Sequence, residues 1–166
     1  MIKLPIPLEL KALCWDYVKD NNIGNRFDFN GDVEQQYLGL VGENMVRSYY
    51  NLPYSFSKGF DGGYDIILNG HKIDVKTMGR NVDPKPHYVN NFVAYQKDLD
   101  CDILYFTSIN KKSSMISFCG WSWKSDFIFE AKYFEKGATR YRDDGTEFKT
   151  LAPLYEISNA NLNEIQ

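Results

Sequence analysis

The sequence predicts an α/β (α+β) fold, a mixed β-sheet flanked by helices. Helical patterns stand near both ends of the chain, strand patterns fill the middle, and Asn69-Gly70 separates two of those strands. Asn-Gly between apolar runs is the strongest short-range hairpin signal. At least one strand pair is therefore antiparallel, which excludes a purely parallel, doubly wound sheet. A single domain suits the 166 residues, because a chain of this size buries roughly 70% of its unfolded surface without staples.

In chain order, Leu8 to Val18 reads as a first helix, opened by Pro7 and ended near Asn21-Asn22. Gly24 to Gly31 is a polar turn region. Asp32 is the expected N-cap of a second helix running from Val33 to about Tyr50. Gly39 and Gly42 lie inside that helix, each costing about 1 kcal/mol relative to Ala, so another element is expected close to its backbone. Tyr54 to Lys58 is a candidate short strand. Tyr64 to Leu68 and His71 to Met78 are the arms of the hairpin, and Gly79 to Pro86 is a loop. Phe92 to Leu99 is read as a short helix. Ile103 to Ile109 and Met115 to Cys119 are strands joined through Lys111-Lys112. Phe127, Ile128, Ala131 and Phe134 form an apolar helical stripe ending at Gly137, and Leu154 to Ile157 is a last strand.

Composition narrows the function classes. The formal net charge is -3, so a polyanion would be bound through a local patch and a bound cation rather than an overall basic surface. Cys14, Cys101 and Cys119 form no C-x-x-C pattern and are odd in number, which points to a reducing compartment and buried thiols. His71 and His87 complete no zinc ligand set. The first ten residues lack the apolar stretch of a secretory signal, and no membrane-spanning run is present. The expected location is the cytoplasm, or the host cytoplasm for a phage-encoded chain, with no membrane partner.

The chemistry gathers at the hairpin. With a two-residue turn at Asn69-Gly70, Ile66 faces Ile73 and Asp65 faces Asp74. Lys76, two residues on, projects to the same face as Asp74. Opposed like charges destabilise a strand pair, and a hard divalent cation between the oxygens offsets that cost. Mg²⁺ favours one or two carboxylates with waters and a substrate phosphate, and a nearby ammonium serves a water or the developing phosphate charge. Two carboxylates, a metal and a lysine suffice for phosphodiester hydrolysis. The acid-x-Lys triplet is not itself informative, since the chain has five, beginning at Glu9, Asp74, Asp83, Glu130 and Glu147. Only the one at Asp74 lies in a strand pattern with an acid opposite.

The runs Gly39-Leu40-Val41-Gly42-Glu43, Asp61-Gly62-Gly63-Tyr64-Asp65-Ile66 and Ile73-Asp74-Val75-Lys76-Thr77 resemble the PD-(D/E)xK nuclease superfamily. They are most similar to its small phage and bacterial members with a helical Gly-x-x-Gly-Glu. Two positions depart from the pattern, with Tyr64 where the family has Pro and Asp74 where Glu is commoner. The resemblance implies a restriction-endonuclease-like mixed sheet flanked by helices, with Glu43, Asp65, Asp74 and Lys76 as catalytic residues. It implies Mg²⁺ or Mn²⁺ held by Asp65, Asp74 and the Val75 carbonyl, with Glu43 acting through water. It implies a nucleic-acid partner, DNA foremost. One nuclease domain, 1–166, then divides into an N-terminal helix and turn (1–31), a catalytic core (32–119) and a C-terminal helix and strand (120–166). Gly120-Trp121 and the following helix resemble a feature of the same small members.

Arg80, Lys85, Lys111 and Lys112 are weaker candidates for nucleic-acid contact, and loop cations of this kind are more often simply solvated. His71 is expected as a strand-end surface residue, and Trp121, Trp123 and Phe127 mostly as core. A homodimer is left open. Two alternatives stand beside the hydrolase: a non-catalytic nucleic-acid-binding protein of the same fold, and an aromatic-rich ligand-binding domain that would show neither metal response nor affinity for polyanions.

Overall fold

Leu10, Cys14 and Val18 recur every four residues and are the buried residues of helix α1 (Leu8–Asp20), which follows strand β1 (Ile2–Pro5). The computed structural model describes residues 1–21, 23, 25–26, 29–30, 32–56, 62–141 and 145–165. Two-residue strands β2 (Asn25–Arg26) and β3 (Phe29–Asn30) pair within the expected turn region. Helix α2 (Val33–Tyr49) begins where the sequence places it, at a reciprocal cap. The Asp32 carboxylate accepts from the Gln35 N–H at 2.7 Å, and the Gln35 side chain accepts from the Asp32 N–H at 3.2 Å.

The turn also forms as its residues dictate. Asn69 and Gly70 both take positive φ, 51° and 83°, the type I′ geometry that matches strand twist. Strand β4 (Ile66–Leu68) thus pairs with β5 (His71–Arg80), Ile66 opposite Ile73, Ile67 opposite Lys72 and Leu68 opposite His71. After β6 (Val89–Val93), β7 (Ile103–Asn110) lies parallel to β5, and β8 (Met115–Trp123) returns antiparallel to β7. With β1 on the outer side of β8, the order of this mixed five-stranded sheet is β1-β8-β7-β5-β4.

Each face of the sheet carries its own core. On one, α1 and α2 pack Leu10, Val41, Met45 and Val46 against Ile73, Val75, Tyr105 and Phe118. On the other, Leu104, Phe106 and Cys119 meet Phe92, Phe127 and Ile157. That second cover comprises helix α3 (Lys124–Glu130) and a small sheet of β6, β12 (Leu154–Ser158) and β9 (Lys132–Phe134), in the order β6-β12-β9. A hairpin of β10 (Thr139–Tyr141) and β11 (Glu147–Lys149) is clipped to β12 by an Arg140–Glu156 ion pair. The chain is a mixed α+β protein, as its patterning predicts. All three cysteines are free and buried. Among the described residues, no helix is long and apolar enough to cross a membrane.

Four expectations are corrected. Phe92 to Leu99 is not a helix: Phe92 ends a strand, and only Ala94–Gln96 forms a 3₁₀ turn. The apolar stripe after Trp123 is helical only to Glu130; Ala131 is extended and Tyr133 and Phe134 belong to β9. Both misreadings have one cause, since β6 and β9 exist by pairing with β12 on either side. Tyr54 to Phe56 form no strand. There the Asn44 side chain acts as a substitute strand, its Oδ1 accepting from the Ser55 N–H at 2.7 Å and its Nδ2 donating to the Ser55 carbonyl at 3.1 Å. The remainder of that candidate strand lies outside the described residues. Gly39, finally, approaches nothing: a Cβ there meets no atom within 4 Å. Gly42 accounts for the close approach alone, because a Cβ on it falls 1.9 Å from the Thr77 hydroxyl of β5.

Candidate active site

Helix α2 supplies Glu43 from directly beside the Gly42 contact with the sheet. Its side chain is 18% exposed and lies 3.4 Å from the Arg47 Nε, one turn on. Arg47, equally buried, also donates from Nη2 to the Asp65 carbonyl at 3.3 Å. A single guanidinium therefore ties the helix acid to the backbone that carries the hairpin acid. Sequence reasoning passed over Arg47. Half its signal was visible, an acid and a base at i, i+4, but its bond to Asp65 is a tertiary contact with no local trace.

Asp65 does not continue the β4–β5 ladder as a regular cross-strand partner of Asp74. The pairing ends at Ile66, and the Asp65 N–H donates instead to the Ile73 carbonyl at 2.8 Å. Its carboxylate takes the next ladder step, Oδ2 accepting from the Val75 N–H at 2.7 Å. A carboxylate makes a stronger acceptor than a carbonyl, so the acid closes the strand end that it terminates. Asp61, the first residue of the resemblance run, lies outside the described residues.

On β5, Asp74 and Lys76 project together onto the face of the second core. Lys76 Nζ stands 2.7 Å from Asp74 Oδ2, and the two side chains are 14% and 7% exposed. The ammonium also lies 5.5 Å from the centre of the Phe92 ring, a cation–π distance. None of the other four acid-x-Lys triplets makes an ion pair between its own acid and lysine among the described residues. Val75, between Asp74 and Lys76, is registered on Tyr105 of β7.

The four side chains share an electrostatic neighbourhood. Burial first, then the charges of Asp74 and Glu43, hold the Asp65 carboxyl well above the usual carboxylate range, against the opposing pull of Lys76 and the Val75 N–H. The same field reaches the thiols beneath. Burial and then Glu43 push Cys14 up to about 12, and burial and then Asp74 push Cys101 up to about 11, which makes both poor nucleophiles.

Among the described residues, no group of three or more His, Cys, Asp or Glu side chains is gathered tightly enough to enclose a metal ion. The oxygens of Asp65 and Asp74 are nonetheless hard donors, and a cation between them would relieve the repulsion that helps to raise Asp65. Mg²⁺ asks for no more than one or two carboxylates, the rest of its shell being water and substrate phosphate. The residues fit that mode and do not fit an all-protein cage.

The weaker candidates lie elsewhere. Lys76 and Arg80 are four residues apart on β5, about 13 Å at strand rise. Arg80 donates from Nη2 to the Val89 carbonyl at 2.6 Å and packs on the Tyr88 ring, as does Lys85. Lys111 pairs with Glu34 at 3.1 Å, and Lys112 follows it in the β7–β8 turn, where its N–H donates to Asn110 Oδ1. The structure does not bring these four to the acids. His71 is exposed, 3.9 Å from Asp102 and edge-on to Trp123. Phe127 is fully buried, Trp121 partly so, and Trp123 is 36% exposed.

Gly120 explains the Gly120-Trp121 feature physically. Its φ of 148° and the 2.6 Å that would separate a Cβ from the Asn163 carbonyl leave room only for glycine. Trp121 and Asn163 exchange backbone bonds at 3.1 and 2.8 Å, so the C-terminal segment is strapped over β8. Comparison with protein-family models, with curated proteins and with solved structures finds no match.

Proposed function

We propose that this chain is a metal-dependent nuclease, hydrolysing phosphodiester bonds in nucleic acid, with DNA as the preferred polymer. One observation carries the reading. An acid and a lysine two residues apart on β5 form a nearly buried ion pair, and a second acid is bonded to the N–H between them. Burying an ion pair costs desolvation that well-packed apolar residues avoid, so a purely structural β5 would gain little from holding this one beside two further carboxylates.

Each residue has a part in the chemistry. Hydrolysis forms a bond from phosphorus to a water oxygen and breaks the bond from phosphorus to the leaving sugar oxygen. Negative charge grows on the phosphoryl oxygens in between. Asp65 and Asp74 would hold Mg²⁺ or Mn²⁺, which supplies Lewis-acid stabilisation of that charge and a more acidic water. Lys76 would add a positive charge beside the developing phosphoryl charge, from a nearly buried position that strengthens it. Glu43, tied through Arg47 to the Asp65 backbone, would act on the metal through a water. Arg47 is a positioning residue that keeps Glu43 and the Asp65 backbone in step.

A cleavage panel tests this, comparing plasmid, linear duplex, single strand, junction and RNA with Mg²⁺, Mn²⁺ and EDTA. Metal-dependent cleavage of at least one substrate is expected. Lys76→Met, which keeps the length of the side chain over Phe92, should lose roughly a hundredfold or more of the rate, as removal of a transition-state charge partner typically does. Cleavage that survives EDTA, or a Lys76→Met protein as active as wild type, would overturn the assignment.

A further inference from the structure

The segment that delivers Asp65 to β5 passes through Gly62 and Gly63, and the two glycines stand differently. A Cβ on Gly62 meets nothing nearer than the Tyr64 ring, at 3.7 Å. Gly63 is buried and has a φ of 100°, a conformation that L side chains rarely adopt. A Cβ on it would fall 2.7 Å from Leu99 Cβ and 3.1 Å from the Asp100 nitrogen. Two residues before the acid, one stretch of backbone thus lies directly on another.

The stretch beneath Gly63 is held from both sides. The Leu99 carbonyl accepts from the Cys101 N–H at 3.0 Å and from the ammonium of Lys124, the first residue of α3. The Lys124 N–H donates to the Asp102 carbonyl at 2.9 Å. Toward β5, the Asp102 N–H donates to the Lys72 carbonyl and the Asp102 carboxylate accepts from the Lys72 N–H, both at 2.8 Å. The Lys72 ammonium pairs with Asp100 and lies 5.2 Å from the centre of the Tyr64 ring. Leu99 to Asp102 is therefore bonded to the strand that carries Asp74 and Lys76. A Cβ contact at 2.7 Å must open by roughly 1 Å to reach an ordinary van der Waals distance. Asp65 has no such slack, since its carboxylate must meet the Val75 N–H at 2.7 Å.

We propose that Gly63 is a positioning residue for Asp65, seated on a bracket of Leu99 to Asp102 that Lys124 braces from α3. This role rests on the nuclease reading only in making Asp65 a metal ligand; the Val75 amide reports on the bracket with neither metal nor substrate present. It also links the Gly120-Trp121 region, through the helix that follows, to the acids.

Hydrogen exchange of the metal-free protein, followed by NMR, tests the bracket, and calorimetric titration with Mg²⁺ tests its consequence. Gly63→Ala should speed exchange of the Val75 N–H about tenfold or more relative to the core amides of Phe106 and Phe118, which a general loss of stability would speed equally. It should also weaken Mg²⁺ binding about tenfold, the usual cost of disturbing what orients a metal ligand. Lys124→Met should act in the same sense, and provides the test if Gly63→Ala does not fold; Lys124→Arg should restore most of the loss. The sign is diagnostic for Lys124. Its charge and that of Asp74 both act on Cys101, so removing the charge would by itself tighten binding of a cation. Unchanged Val75 exchange in both variants, a speeding shared equally by Phe106 and Phe118, or tighter Mg²⁺ binding by Lys124→Met would overturn the inference. Selective release of Val75 in a protein whose wild type binds no Mg²⁺ would support the bracket and overturn the nuclease reading alone.

Discussion

Gly39 and Gly42 lie three residues apart in α2, and Ala in their places should move stability in opposite directions. At Gly42 the new Cβ would fall 1.9 Å from Thr77 Oγ1 and 3.0 Å from both Thr77 Cβ and Thr107 Oγ1. Rotating Thr77 away leaves its Cβ in place and breaks the 2.9 Å bond in which the Thr107 hydroxyl donates to Thr77 Oγ1. Overpacking of this kind costs about 1–3 kcal/mol, and the lost hydrogen bond about 1 kcal/mol. Against these stands the gain of about 1 kcal/mol from replacing a helical glycine. Gly42→Ala should therefore lose about 2 kcal/mol net, a fall of roughly 4–8 °C in Tm for a domain of this size. At Gly39, with nothing within 4 Å, only the gain remains, and Tm should rise by roughly 2–4 °C. Differential scanning calorimetry of the two variants beside wild type decides the matter. Two variants that melt alike, or a Gly42→Ala protein more stable than wild type, would refute the tight α2–β5 contact that places Glu43 at the sheet.

The remaining predictions concern the acids. Asp65 has a folded-state pKa above its unfolded value, so its contribution to stability is full below the ordinary carboxylate range and is lost as pH rises through the raised value. Metal-free Asp65→Asn, whose amide oxygen still accepts the Val75 N–H, should match wild type below the ordinary carboxylate range and melt at higher temperature than wild type once pH has risen through the raised value. A Tm difference that shrinks as pH rises would contradict this. Mg²⁺ at a hundred times its Kd should stabilise wild type by about 2.7 kcal/mol, roughly 5–10 °C in Tm, and Asp65→Asn by much less; equal gains would show that Asp65 holds no cation. Arg47→Met should lower kcat roughly 10–100-fold with KM little changed, the cost of misplaced rather than missing groups. Arg47→Lys should recover part of it, and a loss confined to KM would assign Arg47 to substrate binding.

The more local a feature's cause, the more of it the sequence discloses. Asn69-Gly70 specifies its turn through backbone preference alone, and with it the register that brings Ile66 to Ile73. Asp32 and Gln35 cap α2 within one turn of helix. The Asp74–Lys76 pair follows from strand periodicity. By contrast, β6 and β9 are strands because β12 lies between them, beginning about twenty residues beyond Phe134 in one case and some sixty beyond Phe92 in the other. No local pattern contains that partner. Asp65 shows the same divide within one residue: its nearness to Asp74 was legible, but the capture of the Val75 N–H by its carboxylate was not. That bond changes which acid is the better probe. Asp74→Asn would leave Lys76 without its buried carboxylate, whereas Asp65→Asn keeps the Val75 contact and removes only charge.

The placement of β1 on the outer side of β8 also sets an order of events. Ile2 pairs with Phe118, and Trp121 of the same strand pairs with Asn163. During vectorial synthesis the first strand emerges with nowhere to dock, while the α1–α2 pair and the β4–β5 hairpin close on neighbours already made. Contacts of such long sequence separation form late, because the loop must be closed before they repay it. The β8 strand is thus a seam, held along one edge by a strand made more than a hundred residues before it and strapped at Trp121 by a segment made some forty residues after it. A cut between Trp121 and Asn163 would release that strap and expose the Gly120 and Trp121 backbone of β8.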